Sequence, residues 1–363
     1  PLAAAPHPLT STVADPAGNF SSASSPITFT IDVSTPDAAS GVQLSNNEGS
    51  TPVAIVNGGA TNDTTPVLSG SAEAGSVVTV TDTVGAVATV LGSVTVGANG
   101  NWSFTSPVLG TGEHSLTTTV TDPAGNISDA SAPFVVTIDT TPPAAVGEVE
   151  LANDAGTAIT GGFTNDSTPT LSGTGDVGSI ITVRDGTTVL GSVAVNDEGE
   201  WTFTTPVLSE SSHSLTATAT DAAGNSSGAS TPIVFTVDTT PPAAATGVII
   251  SNNSSGSPVT IPNGLTSDNT PVLSGSAEPG STVTISSASG ELGTAVVGEN
   301  GAWSFTPSPA LADGAYTLTT TVTDAAGNTG PASTPVNITV LATPPADATN
   351  LQLTNNEGSS PVV

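Results

Sequence analysis

Apolar and polar side chains alternate along this chain with the period of two expected of a half-buried β-strand, and no stretch reads as a long amphipathic helix. The run Val77-Val-Thr-Val-Thr-Asp82 shows the pattern. Turn-forming groups interrupt it at Asn62-Asp-Thr-Thr-Pro66, Glu73-Ala-Gly75, Asn99-Gly100 and Asp122-Pro-Ala-Gly-Asn126. The interruptions leave seven predicted strands, at 41–45, 67–71, 77–82, 87–96, 102–105, 115–121 and 133–138. Trp102 and Phe104 are two residues apart on one strand, so they share a face and are expected in the core. Seven short strands with a turn at every reversal predict an all-β sandwich.

The same series returns along the chain. Trp102, Trp201 and Trp303 are spaced by 99 and 102 residues, which sets the repeat length and divides the chain into units. Complete units are expected at 36–140, 141–239 and 240–343. Residues 1–35 match the closing strands of a preceding unit, and 344–363 the opening strand of a following one, so the chain reads as a piece of a longer array. Each unit closes on the same words: Ile31-Asp-Val-Ser-Thr-Pro36, Val136-Thr-Ile-Asp-Thr-Thr-Pro-Pro143 and Val237-Asp-Thr-Thr-Pro-Pro242. Proline fixes φ and lacks an N–H, so the strand must end there and hand over to a stiff extended connector. Val340-Leu-Ala-Thr-Pro-Pro345 repeats the joint without its acid.

Charge narrows the choice of partners. One Lys or Arg stands against 31 Asp and Glu, a net charge of −30, which phosphate backbones and anionic lipid surfaces would repel. Nucleic acid is therefore not expected as a partner. No apolar run approaches the ~20 residues of a membrane helix, so membrane insertion is not expected either. With no cysteine, there is no disulfide or zinc-thiolate chemistry, and stability must come from core burial, repetition or a metal. Clustered carboxylates suit a hard cation such as calcium, or they simply keep the chain soluble.

Five motifs recur in fixed order: Thr-Asn-Asp-x-Thr-Pro, Ser-Ala-Glu-x-Gly, Asn-Gly-x-Trp-Ser-Phe-Thr, Thr-Asp-x-Ala-Gly-Asn and Asp-Thr-Thr-Pro-Pro. Together they resemble the bacterial immunoglobulin-like repeats of giant secreted adhesins and biofilm-associated proteins, over essentially the whole chain. The resemblance implies a tandem array of immunoglobulin-like, seven-stranded antiparallel β-sandwiches. It also implies a long extracellular stalk, exported by a type I route, with calcium bound at the junctions.

Strand parity assigns the loops to poles. The Glu73, Asn99 and Asp122 turns return to the N-terminal pole, while Asn62-Asp63 and Asp139 lie at the other. Stacking units end to end brings Asp63 and Asp139 toward Asp176 and Asp221, and at the next junction Asp166 and Asp238 toward Glu278 and Asp324. Asp32, Glu73 and Asp122 complete the candidate calcium ligands. Calcium takes about six to eight oxygens, and unpaired carboxylates so placed would repel one another. Against this stands a metal-free reading, in which Asp before Gly-Asn, or Asn-Asp before Thr-Pro, caps a turn. The joint's own Asp is the more telling group, because nothing about a proline-ended strand calls for a carboxylate. The last joint has Leu341 and Ala342 instead, which leaves its site in question.

His114 and His213 stand where the third unit has Tyr316. Histidine and tyrosine share a polar tip rather than a metal affinity, so a tyrosine-corner-like hydrogen bond is expected in place of ligation. No nucleophile, base and orienting group are unique to one unit, which argues against an enzyme. The expected function is a spacer on a bacterial cell surface that presents a distal adhesive domain for adhesion or biofilm formation. Its contacts within this stretch would be neighbouring repeats. Two alternatives are pole loops that bind a glycan or host protein, and the spacer of a secreted enzyme.

Overall fold

A computed structural model describes residues 2–253, 259–261 and 264–349. The opening strand expected from Leu351 lies outside the described residues. Among those described, every regular element is a β-strand.

The first full unit packs two sheets face to face. One has the spatial order Val53–Ile55, Ser40–Asn46, Val67–Ser71, Asn101–Thr105, and the other Gly59–Thr61, Phe134–Ile138, Gly112–Thr121, Val77–Val84, Val87–Thr95. The second unit repeats this with sheets of three and five strands, and the third with sheets of four and five. All seven strands predicted for the first unit form. Two short ones, Val53–Ile55 and Gly59–Thr61, were not predicted, because three residues are too few to show a period. Gly59–Thr61 runs parallel to Phe134–Ile138, so the sandwich is not purely antiparallel. The chain changes sheets just before this strand and arrives alongside the unit's last one.

Alternation along the strands becomes burial. On Gly112–Thr121 the buried residues are His114, Leu116, Thr118 and Val120, and on Val77–Val84 they are Val78, Val80 and Asp82. Trp102, Trp201 and Trp303 are 4%, 3% and 3% exposed, so each anchors one core. Directly across the ladder from each indole is a glycine: Gly70, Gly173 and Gly275. A Cβ on Gly173 would lie 2.8 Å from the Gly147 carbonyl oxygen and 3.0 Å from the Trp201 ring. The Phe rings behave alike, since a Cβ on Gly191 would come 2.8 Å from Phe203. These glycines clear the space into which large aromatic side chains lie flat against the neighbouring strand.

Before the first unit, Pro6–Leu9 pairs with Ile27–Thr30 as a two-stranded sheet, with Leu9, Phe20 and Ile27 exposed. Arg184, the chain's one basic residue, lies on Ile180–Asp185, hydrogen-bonded on both sides by Thr188–Ala194 and Ser212–Thr220.

Two outcomes follow from this packing. Gly173→Ala forces either backbone or indole to move, a cost of about 1–3 kcal/mol, and calorimetry of the full chain should show one unit melting early while the other two are unchanged. Trypsin has a single site, at Arg184. Because the bond lies in a central strand, gel analysis should show the folded chain intact under conditions that digest an unfolded control within minutes.

Candidate functional site at the joints

The turn Asp221-Ala-Ala-Gly-Asn225 explains how a joint is made. Asp221 Oδ1 accepts the N–H groups of Ala223 and Asn225, both at 2.9 Å, and Oδ2 accepts Asn225 Nδ2 at 2.9 Å. Nδ2 carries two hydrogens. The second goes to the backbone carbonyl of Asp139 in the preceding unit, also at 2.9 Å. Asn225 is buried, so both bonds are shielded from water. The arrangement recurs at the joint before, where Asn126 spans Asp122 at 2.7 Å and the Asp32 carbonyl at 3.2 Å. At the joint after, Asn328 spans Asp324 and the Asp238 carbonyl, each at 2.8 Å. The Asn126 side chain, working against burial, holds the Asp122 carboxyl below the usual carboxylate range.

Two further bonds cross or brace the first full joint. The Asn62 N–H donates to the Ala223 carbonyl at 2.9 Å, from one unit's backbone to the next. In the connector, the Ala144 N–H donates to Asp176 at 2.8 Å.

The predicted ligands separate into groups. Asp63 is fully buried, with Thr65 N–H at 2.8 Å on one oxygen and Asn47 N–H at 2.9 Å on the other. Asp166 is bonded in the same way by Thr168 and Asp154. Both serve turns inside their own units, and Asp63 does not line the cavity found at the first full joint. The joint acids Asp32, Asp139 and Asp238 each accept the N–H two residues on, from Ser34, Thr141 and Thr240 at 2.9, 2.9 and 3.0 Å. A proline-ended strand therefore does have a use for a carboxylate, as the acceptor that turns the chain into the connector. Glu73 and Glu278 are exposed, and their turns are closed by backbone bonds from Ser76 and Ser281, each at 3.2 Å.

Asp139, Asp176 and Asp221 do meet, lining one cavity of about 420 Å³ with Pro142, Pro143 and Ala60. Their donor chemistry suits a hard cation. Among the described residues, however, no three acidic or histidine side chains are gathered closely enough to form a coordination shell.

Sequence reasoning missed the groups that hold the exit connectors. Glu210 accepts the Thr239 N–H at 3.1 Å, the Thr239 hydroxyl, and the Thr240 hydroxyl at 3.0 Å. The Thr239 and Thr240 contacts keep its carboxyl below the usual range. Asp313 does the same in the third unit, accepting Ala342 N–H at 2.7 Å and Thr343 N–H at 3.2 Å. The last joint, which lacks its own acid, is thus gripped by an acid from elsewhere. The legible signal was position: Glu210 and Asp313 both stand three residues before the His or Tyr near the start of the sixth strand, where the first unit has Thr111.

That His or Tyr bonds as expected, and the histidines have one partner more. Nε2 of His114 and of His213 lies 2.9 Å from the carbonyl four residues upstream, and the Tyr316 hydroxyl donates to Ala312 at 3.0 Å. The unforeseen contact is at Nδ1, 2.7 Å from Asp82 in one unit and from Asp185 in the other. Where Tyr316 replaces histidine, Ser287 replaces the aspartate. That paired exchange was visible in the repeats.

The chain is therefore a linear array of β-sandwiches joined pole to pole by hydrogen bonds from side chain to backbone. It belongs to the bacterial Ig-like domain family, whose pattern matches residues 42–140, 141–239 and 243–340. Among solved structures, a tetra-tandem repeat in the extending region of a large adhesion protein is 23% identical, covering 93% of this chain and 82% of that one, with a TM-score of 0.28. The FN1-FN3 domains of chicken CNTN1 are 14% identical over 84% of this chain and 99% of that one, with a TM-score of 0.35. The BSP domain of a biofilm-associated protein is 13% identical over 85% and 67%, with a TM-score of 0.21. At these scores the family match, not structural likeness, carries the assignment. No curated protein matches the chain.

Asn225→Ala removes both halves of the bridge and leaves the Asp139 carbonyl and one Asp221 oxygen without their donor. The second unit should lose about 1–2 kcal/mol in calorimetry, and NMR relaxation should show the first two units tumbling more independently, while the joint bridged by Asn328 is unaffected.

Proposed function

We propose that this chain is a spacer of a bacterial surface protein, an extracellular stalk that holds a distal adhesive domain away from the cell. The observation that carries the reading is the bridge repeated at three successive joints, where one asparagine binds its own unit's turn and the preceding unit's carbonyl. A device copied at every joint sets the relation between neighbours, which is what a stalk needs. Repetition also points away from catalysis, since an active site is not normally rebuilt in each unit. Among the described residues, no helix is long and apolar enough to cross a membrane.

Calcium is the second part of the proposal. Asp139, Asp176 and Asp221 are the groups that would hold it at the first full joint, and the cation would offset their mutual repulsion. Asp238, Glu278 and Asp324 would do so at the second, and Asp32, Glu73 and Asp122 at the joint entering the first full unit. Extracellular calcium modules bind at about 10⁻⁴–10⁻³ M, so the stalk would stiffen after export.

Small-angle scattering separates the two parts. An extended chain whose maximum dimension grows from chelator to millimolar calcium supports both, and Asp139→Ala should remove part of that growth. An extended chain indifferent to calcium leaves the spacer and removes the metal. A chain collapsed in both conditions overturns the spacer.

A further inference from the structure

The geometry points to the joint between the second and third units as a proton-controlled clamp, closed by His213 through the Ser209–Glu210 segment and opened when that imidazole loses its charge. His213 opens the core face of Ser212–Thr220. Its Nδ1 lies 2.7 Å from Asp185 Oδ2 and its Nε2 lies 2.9 Å from the Ser209 carbonyl. A carboxylate and a carbonyl only accept, so both bonds hold only if both ring nitrogens carry hydrogen, as in imidazolium.

The next residue after Ser209 is Glu210, whose carboxylate grips Thr239 and Thr240 of the connector. Charged His213 therefore anchors the backbone beside the clamp. Neutral His213 would keep its hydrogen toward Asp185 and turn a lone pair on the Ser209 carbonyl. The second state has a partner ready, because the Ser211 hydroxyl lies 3.3 Å from Nε2 and would donate to it. In taking that bond the imidazole releases Ser209, and with it the position of Glu210.

The surroundings define the sign. The charged or titratable group bonded to the imidazole is Asp185 on the neighbouring strand, while the Glu210 carboxylate is turned to Thr239 and Thr240; on the other side, Ile233–Val237 presents the Phe235 ring, 5.7 Å away. Arg184 alternates to the opposite face, donating to the Thr187 carbonyl at 3.3 Å. Burial works to lower the His213 pKa, but the Asp185 and Ser209 bonds and the Asp185 charge raise it above its ordinary 6.5. The clamp is thus complete below that value and is lost as pH rises through the higher, folded one. For Asp185, burial works upward, while the His213 and Ser214 bonds hold it below 3.8, so its part is lost only as pH falls through that lower value.

The other joints supply controls. The first unit has Thr111 where Glu210 stands, so its histidine anchors no acid on the connector. The third grips its connector through Asp313 but has Tyr316 and no histidine. The mechanics do not depend on the spacer reading, which supplies only their use.

The test uses the full chain, whose lack of cysteine permits selective labelling at exposed positions introduced in pairs. Thr188→Cys with Ala288→Cys reports the second full joint, and Ala86→Cys with Thr188→Cys the first. Distance distributions by single-molecule fluorescence are read from about pH 5.5 to 9, in chelator and in calcium. The open population at the second joint should rise about tenfold as pH increases, the effect of one hydrogen bond to a charged group, while the first stays constant. His213→Tyr with Asp185→Ser, which copies the third unit, should abolish the response, and Glu210→Thr, which copies the first, should leave that joint open at every pH. A second joint that does not respond, or one that responds equally in Glu210→Thr, overturns the clamp. If the variants fail to fold, the comparison of the two joints in the unaltered sequence still decides. An extended chain with no pH response would remove the clamp and leave the spacer standing.

Discussion

A chain with 31 carboxylates and one guanidinium must find most of its hydrogen-bond donors for those anions in neutral groups. Arg184 gives its recorded bond to a carbonyl, and the ion pairs among the described residues are the two His–Asp contacts. The remaining acids with defined partners are met by backbone N–H groups, hydroxyls and asparagine amides. Such donors are plentiful where a strand ends, because the ladder no longer uses them there. The acids therefore sit at chain reversals and hold them in shape. Hydrogen bonding to the ionised form is also why Asp15, Asp122, Asp268, Glu210 and Asp313 all lie below the ordinary carboxylate range.

The same constraint builds the array. An asparagine amide has two hydrogens, and a turn that uses one for its own aspartate has the other left for a neighbour. At Asn126, Asn225 and Asn328 that second hydrogen reaches a carbonyl just past the last strand of the preceding unit, where the connector begins. The connector itself is held by further acids, Asp176 from ahead or Glu210 and Asp313 from behind. Joints that look alike in sequence are thus held by different sets of groups. The first full joint has a direct backbone bond through Asn62, whereas the second has the Glu210 grip. Because contacts in a linear array reach nearest neighbours alone, each joint can differ without disturbing the rest.

Much of this was legible from the residues. Alternation at period two fixed the strands, since a one-residue slip would turn every apolar side chain to solvent. The tryptophan spacing fixed the repeat, the proline pairs fixed where strands stop, and strand parity placed the Asp221 turn opposite Asp139. The histidine positions pointed to a hydrogen bond because tyrosine could replace them. All of these are local patterns, or repetitions of local patterns.

Tertiary structure alone decided which atoms meet. Asp63 and Asp139 both belong to the pole assigned from sequence, yet one is sealed inside its unit and the other faces a cavity, because only the fold determines which N–H groups surround each carboxylate. Gly173 opposite Trp201 depends on pairing between strands almost thirty residues apart, which period-two alternation does not specify. Glu210 reaches Thr239 across 29 residues of chain, and Asn225 reaches Asp139 across 86. Spacing in sequence states which residues repeat; it does not state distance, and hydrogen bonds are made only within about 3 Å.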